Sequence, residues 1–161
     1  MPSGKSKRII IDTNLWISFL ISKRLDILEK IIFQDNVILL FSNELIDEIK
    51  VSIEKPKLKK HFSLVSLSDM LESIEEFSEL IHVKSKVTVC RDSKDNFLLS
   101  LAKDGKANYI LTGDKDLLVL RKFGKTQIRC PRHLHTVHIM SFSMATILTV
   151  VIMTHIVRKC T

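Results

Sequence analysis

The residues of this chain whose types and placement could do chemistry are acids. Arg91-Asp92-Ser93-Lys94-Asp95-Asn96 leads into an apolar helical pattern, and Tyr109-Ile110-Leu111-Thr112-Gly113-Asp114-Lys115-Asp116 follows it. Four carboxylates therefore stand at the two ends of one short helix-plus-strand unit, a placement that can bring them together in space. A further acid, Asp12, closes the apolar run Ile9-Ile10-Ile11, where packing gives no reason for a charge. Carboxylates held close together raise one another's pKa unless a cation neutralises them. Hard oxygen donors without His or Cys suit Mg²⁺ or Mn²⁺, and Mg²⁺ retains several of its waters. Such ions activate a water and stabilise a leaving oxygen in phosphodiester hydrolysis, in two-metal sites with a spacing of roughly 3.5–4 Å. Taken singly, each acid but Asp12 has an ordinary reading at least as strong. Asp92 and Asp95 suit a helix start, and Asp114 and Asp116 suit a turn. Together they favour a site.

The elements that must position these acids alternate between strand and helix. Arg8 to Asp12 reads as a buried first strand, β-branched and continuous. From Leu15 to Phe33 apolar residues recur at helical intervals, with Trp16, Phe19, Leu20, Leu28, Ile31 and Ile32 as core candidates and Trp16 and Phe19 as packing residues. Val37 to Phe41 is a second buried strand, and strand-helix-strand implies a right-handed crossover. Ser42 can cap a helix from Asn43 to about Lys55, whose Leu45, Ile46 and Ile49 share one face. Glu44 and Glu48, spaced i,i+4, project from one side of it, and spacing alone favours solvated helix acids. Pro56 breaks that helix inside a basic run of Lys55, Lys57, Lys59 and Lys60. Leu67 to Leu80 reads as an amphipathic helix with Met70, Leu71, Ile74 and Phe77 inward and Glu72, Glu75, Glu76 and Glu79 outward. Next, Asp92 or Ser93 can cap a helix carrying Phe97, Leu98, Leu101 and Ala102, and Gly105 stops it. Tyr109 to Leu111 is then a short strand turned by Gly113 and Asp114 at its carboxyl end, the edge where open parallel sheets bind ligands. The pattern predicts an α/β sandwich around a short, mostly parallel sheet.

Composition narrows the class. A chain of 161 residues with few Gly and Pro supports one domain with a real core. Cys90, Cys130 and Cys160 form no metal-binding pair and leave an odd number, which fits a reducing cytoplasm. Ile9-Ile10-Ile11 is too short for a signal peptide, so a cytoplasmic location is expected. The net charge of +7 belongs to one end, because residues 1–116 hold 18 Lys+Arg and 18 Asp+Glu. The surplus is Arg121, Lys122, Lys125, Arg129, Arg132, Arg158 and Lys159, in a segment with no acid.

Four motifs in order carry a resemblance. Asp12-Thr13-Asn14 after an apolar strand, Glu48 within Leu45-Ile46-Asp47-Glu48-Ile49, Asp92-Ser93-Lys94-Asp95-Asn96, and Thr112-Gly113-Asp114-Lys115-Asp116-Leu117-Leu118 resemble the PIN domain. More narrowly, they look like the VapC-like toxin components of bacterial toxin–antitoxin pairs. The resemblance runs from about Arg8 to Ile128. It implies a three-layer α/β/α sandwich and a ribonuclease dependent on Mg²⁺ or Mn²⁺ that hydrolyses RNA phosphodiesters endonucleolytically. On that pattern Asp12, Glu48, Asp95 and Asp114 are the catalytic, metal-holding acids, with Asp116 as an additional ligand, directly or through water. Thr13, Asn14 and Thr112 are polar neighbours of a ligand water or a substrate phosphate. Asp92 matches less well than Asp95. A homodimer and a small antitoxin protein are the implied partners besides RNA.

Two rival readings differ in kind. An aspartyl-nucleophile phosphatase would use Asp12 and Gly113-Asp114-Lys115-Asp116, but it needs a second acid where Asn14 stands. A non-catalytic PIN-fold interaction module is opposed by the presence of all four acids, and divalent binding separates it from an enzyme. The carboxyl end departs from the family pattern. We expect a domain over residues 1–131 and an atypical tail over 132–161, packed on the domain or on a second chain, or altered by a shifted reading frame. Ile139 to Val157 has no formal charge with neutral His and the length of a membrane span, yet its Ser and Thr residues disfavour one. His133, His135 and His138 lack the companions of a metal site.

Overall fold

The computed structural model describes residues 6–22, 36–59 and 64–130. The expected core positions Leu28, Ile31 and Ile32, the Met70 side chain and the whole of 132–161 lie outside what it describes. Six strands form one sheet: β1 (Lys7–Ile11), β2 (Val37–Phe41), β3 (Ser78–Leu80), β4 (Tyr109–Leu111), β5 (Lys122–Phe123) and β6 (Thr126–Arg129). Their order is β3-β2-β1-β4-β6-β5, parallel throughout except for the β5–β6 hairpin at one edge. Helices flank it: α1 (Thr13–Ser22), α2 (Asn43–Ile53), α3 (Pro56–Lys59), α4 (Leu64–Ser73), α5 (Asn96–Asp104) and α6 (Lys115–Leu118). Sheet and helices make the expected α/β/α layering. Among the described residues no helix is long and apolar enough to cross a membrane.

β1 lies between β2 and β4, so Ile9, Ile10 and Ile11 are buried, as an interior strand of a parallel sheet requires. Trp16 of α1 packs on Phe41 at the end of β2, with ring centroids 5.2 Å apart, and edge-on to Phe19 at 6.3 Å. The order has one consequence for ligands. The chain winds from β1 to β2 to β3 in one direction, then returns past β1 to β4 and β6. Winding reverses between β1 and β4, and their carboxyl ends border the crevice where such sheets take ligands.

One expected element changes type. Instead of a helix through Leu80, α4 ends at Ser73, a 3₁₀ turn spans Glu75–Phe77, and Ser78–Leu80 joins β2 as a parallel strand. A helix continued there would stack Glu72, Glu75, Glu76 and Glu79 at i,i+3 and i,i+4, where like charges repel. The open edge of β2 offers backbone partners instead. The Ile81 N–H donates to the Phe41 carbonyl at 2.7 Å, and Glu79 pairs with Arg8 at 2.7 Å.

Gly105 does close α5, but not through an unusual backbone, since its φ is −78°. A Cβ there would sit 2.8 Å from Leu40 Cδ1 and 2.9 Å from the Leu101 carbonyl oxygen. Close approach of helix end to sheet is what requires glycine.

Candidate active site

Asp12 is the first residue after β1, and its backbone is held from both sides. Its N–H donates to the Leu111 carbonyl at the end of β4, while its own carbonyl accepts from Leu15 and Trp16 to start α1. The residue is buried, 5% exposed. The Thr112 hydroxyl donates to Asp12 Oδ2 at 2.7 Å and accepts from the Asp114 N–H at 2.9 Å, so one hydroxyl joins the ends of β1 and β4. Burial pushes the Asp12 carboxyl up to about 6. The Thr112 hydrogen bond opposes that rise, Glu48 and Asp114 add to it, and the Asn14 backbone N–H opposes it again.

Glu48 arrives from α2. Ser42 caps this helix by accepting from the Leu45 N–H at 3.2 Å, and Leu45, Ile49, Ser52 and Ile53 form its buried face. The Thr13 hydroxyl at the start of α1 donates to Glu48 Oε2 at 2.5 Å. Glu44, one turn earlier, is exposed. Helix spacing could not separate the two; the long-range bond from Thr13 does.

Asp92 and Asp95 also part company. The Asp92 side chain caps the 3₁₀ turn Ser93–Asp95, accepting from the Lys94 N–H at 3.0 Å. Asp95 occupies the N-cap position of α5 yet makes no capping bond, leaving its half-buried carboxylate to the site. Burial, then Asp114, Asp12, Asp92 and Glu48, push it up to about 7. Asp114 serves two ends at once. Its Oδ1 caps α6, accepting from Asp116 at 2.6 Å and Leu117 at 3.4 Å, and its charge raises both Asp12 and Asp95.

The structure thus brings Asp12, Glu48, Asp95 and Asp114 into electrostatic reach of one another, with Thr13 and Thr112 buried among them. Asn14 is exposed on the first turn of α1, and its backbone rather than its side chain acts on Asp12. Asp116, whose N–H donates to Asp114, has its carboxylate in an ion pair with Arg91 Nη2 at 2.5 Å. Sequence reasoning passed over Arg91. The available signal was a cation opening the acid run, ahead of Asp92 and Asp95.

The donor set has the chemistry of a hard-cation site. Every candidate donor is an oxygen, and the nearby Cys90 thiol is pushed up by burial and by Asp95, Asp116 and Asp114, which keeps it protonated. No three His, Cys, Asp or Glu among the described residues form a ready-made metal cage. Such a site fits an ion that keeps part of its water shell and takes one or two carboxylates directly, as Mg²⁺ does. A cavity of about 770 Å³ opens at the other end of the strands, among Lys7, Lys103, Lys106, Phe123 and Lys125, and no acid lines it.

Comparisons with known proteins bear on this arrangement. A model of the PIN domain matches residues 8–116. The uncharacterized protein MJ1680 of Methanocaldococcus jannaschii is 34% identical over 125 residues, which cover 73% of this chain and 77% of that protein. Among solved structures, the fold is similar to the crystal structure of Mycobacterium tuberculosis VapC20, titled a sarcin–ricin loop cleaving toxin. The TM-score is 0.50 with 11% identity, over 74% of this chain and 98% of that one. At that identity the likeness concerns the fold alone.

Proposed function

We propose, from the premise that this chain belongs to the PIN domain family, that it is a divalent-metal-dependent endoribonuclease acting as the toxin of a toxin–antitoxin pair. One observation carries the reading. Asp12, Glu48, Asp95 and Asp114, scattered along the sequence, come within electrostatic reach of one another near the carboxyl ends of β1 and β4, and the carboxyls of Asp12 and Asp95 are pushed up to about 6 and about 7. Mutually repelling carboxylates do not add to the stability of a fold, and their clustering supports a site.

Asp12, Glu48, Asp95 and Asp114 would hold Mg²⁺ or Mn²⁺. When bound, the ion supplies an activated water and neutralises charge on the phosphodiester. The chain's own residues prepare the place. Thr112 fixes the Asp12 carboxylate and, through Asp114, the turn after β4; Thr13 fixes Glu48. Asp95, free of capping duty, can take or release a proton near neutral pH. The small antitoxin and a homodimer are the partners this reading implies. The test is cleavage of a mixed RNA panel with Mg²⁺ or Mn²⁺ against an EDTA control, with Asp95→Asn alongside. Metal-dependent scission by the parent and none by the variant supports the reading. RNA left intact by the parent in both metals, or cleavage undiminished in EDTA, would sink it.

A further inference from the structure

The ion pair at the rim of the acid cluster has a different character from the cluster itself. Asp12 is raised by burial, then by Glu48 and Asp114, and Asp95 by burial, then by Asp114, Asp12, Asp92 and Glu48. The Asp116 carboxylate pairs with Arg91, whose side chain is 84% exposed while that of Asp116 is 23% exposed. The backbone on both sides of Arg91 is pinned. The Cys90 N–H donates to Asn96 Oδ1 at 2.9 Å, and Asp92 caps the following turn. A fixed base therefore carries an outstretched guanidinium, anchored through one nitrogen.

A guanidinium has five N–H donors in a planar fork that fits phosphate oxygens in pairs, and its charge persists at any working pH. An RNA strand approaching Asp12, Glu48, Asp95 and Asp114 meets repulsion, and Arg91 is a cation held at their rim by its ion pair with Asp116. We propose that Arg91 contacts a phosphate of the RNA backbone next to the scissile site, and that Asp116 is the positioning residue that orients it, not a metal ligand. This rests on the ribonuclease reading above and gives two of its residues separate roles.

Three variants test it: Arg91→Gln, Arg91→Lys and Asp116→Asn, alone and with Arg91→Gln combined with Asp116→Asn. Binding of a fluorescein-labelled single-stranded RNA of mixed sequence is followed by anisotropy over a salt series. Ca²⁺ replaces Mg²⁺ so that the RNA stays intact, and divalent affinity is measured separately by calorimetry. Arg91→Gln should weaken RNA binding about ten- to a hundredfold, the loss expected for a charged hydrogen-bonded contact. The slope of log Kd against log salt should become shallower by about 0.7, one phosphate contact on a single strand. Divalent affinity should stay within about twofold, and in cleavage the loss should fall on KM more than on kcat. Arg91→Lys, which keeps the charge but not the fork, should lie between. Asp116→Asn should weaken RNA binding less than Arg91→Gln, and add nothing once Arg91 is gone.

Parent-like RNA affinity and salt slope in Arg91→Gln would overturn the proposal while leaving ribonuclease activity standing. So would a loss of divalent affinity in Asp116→Asn that persists in the Arg91→Gln background, since Asp116 would then be a ligand. A parent that neither binds nor cleaves RNA removes the underlying reading and this proposal together.

Discussion

Replacing Asp12 with asparagine should remove activity and yet make the folded protein more stable, by an amount that depends on pH. The unfolded chain releases this proton near the ordinary 3.8, whereas burial delays its release in the folded chain to about 6. Between those values the folded chain holds more protons than the unfolded one, so stability is full below about pH 4 and falls as pH rises through 6. Once the group is fully ionised the loss is about 3 kcal/mol, an upper limit because relaxation and water entry reduce it. Asparagine keeps the shape and can still accept from the Thr112 hydroxyl, without the buried charge. In EDTA at pH 8 the variant should therefore exceed the parent by up to about 3 kcal/mol, or about 9 °C in Tm for a chain of this size. At pH 4 the difference should vanish. Adding Mg²⁺ at about a hundred times its Kd should stabilise the parent by about 2.7 kcal/mol and Asp12→Asn far less. Urea or thermal melts over pH 4–8, with and without the metal, give all of these values. A variant less stable than the parent at pH 8, or one whose advantage is as large at pH 4, would show that Asp12 is not held as a strained buried carboxylate.

Divalent affinity should fall as pH is lowered through about 7 and then about 6, because Asp95 and Asp12 take up protons in turn and each must release its proton to a metal; calorimetry in buffers of different ionisation enthalpy would reveal the protons displaced, and a pH-independent affinity would count against both as ligands. Glu48→Gln should weaken that affinity by more than about tenfold and Glu44→Gln should leave it unchanged, since only Glu48 is held by Thr13; the reverse result would mean that α2 presents a different face. Thr112→Val leaves Asp12 and the Asp114 N–H without their shared hydroxyl, so it should cost about 1–3 kcal/mol in a urea melt and lower cleavage as well. Gly105→Ala should destabilise by about 1–3 kcal/mol through its contacts with Leu40 and the Leu101 carbonyl, while RNA cleavage by the folded protein persists; an unchanged Tm would show that the helix end yields without strain.

Much of this molecule was legible from the chain alone because the signals are local. Three consecutive isoleucines, β-branched and apolar, read as an interior strand of a parallel sheet, and the acid that follows them has no place in packing. Ser42 announces α2 through its own hydroxyl, and the spacing of Leu98, Leu101 and Ala102 announces α5. The four acidic motifs, in their order, point to the PIN domain for the same reason, since each is a short stretch at the end of a recognisable element. What the chain alone left open were choices between residues that local geometry treats alike. Glu44 and Glu48 lie on one helix side, and Thr13, 35 residues away, selects between them. Asp92 and Asp95 both suit a helix start, and only the turn at Ser93–Asp95 makes one a cap and leaves the other without a capping bond. Ser78–Leu80 continues a helical apolar pattern, yet the unpaired edge of β2 claims it as a strand. Asp116 shares a motif with Asp114 but turns to Arg91. Periodicity and capping act over a few residues, whereas sheet edges, long-range hydrogen bonds and ion pairs exist only after the chain has brought distant segments together, and which acids come within reach of one another belongs to that second kind.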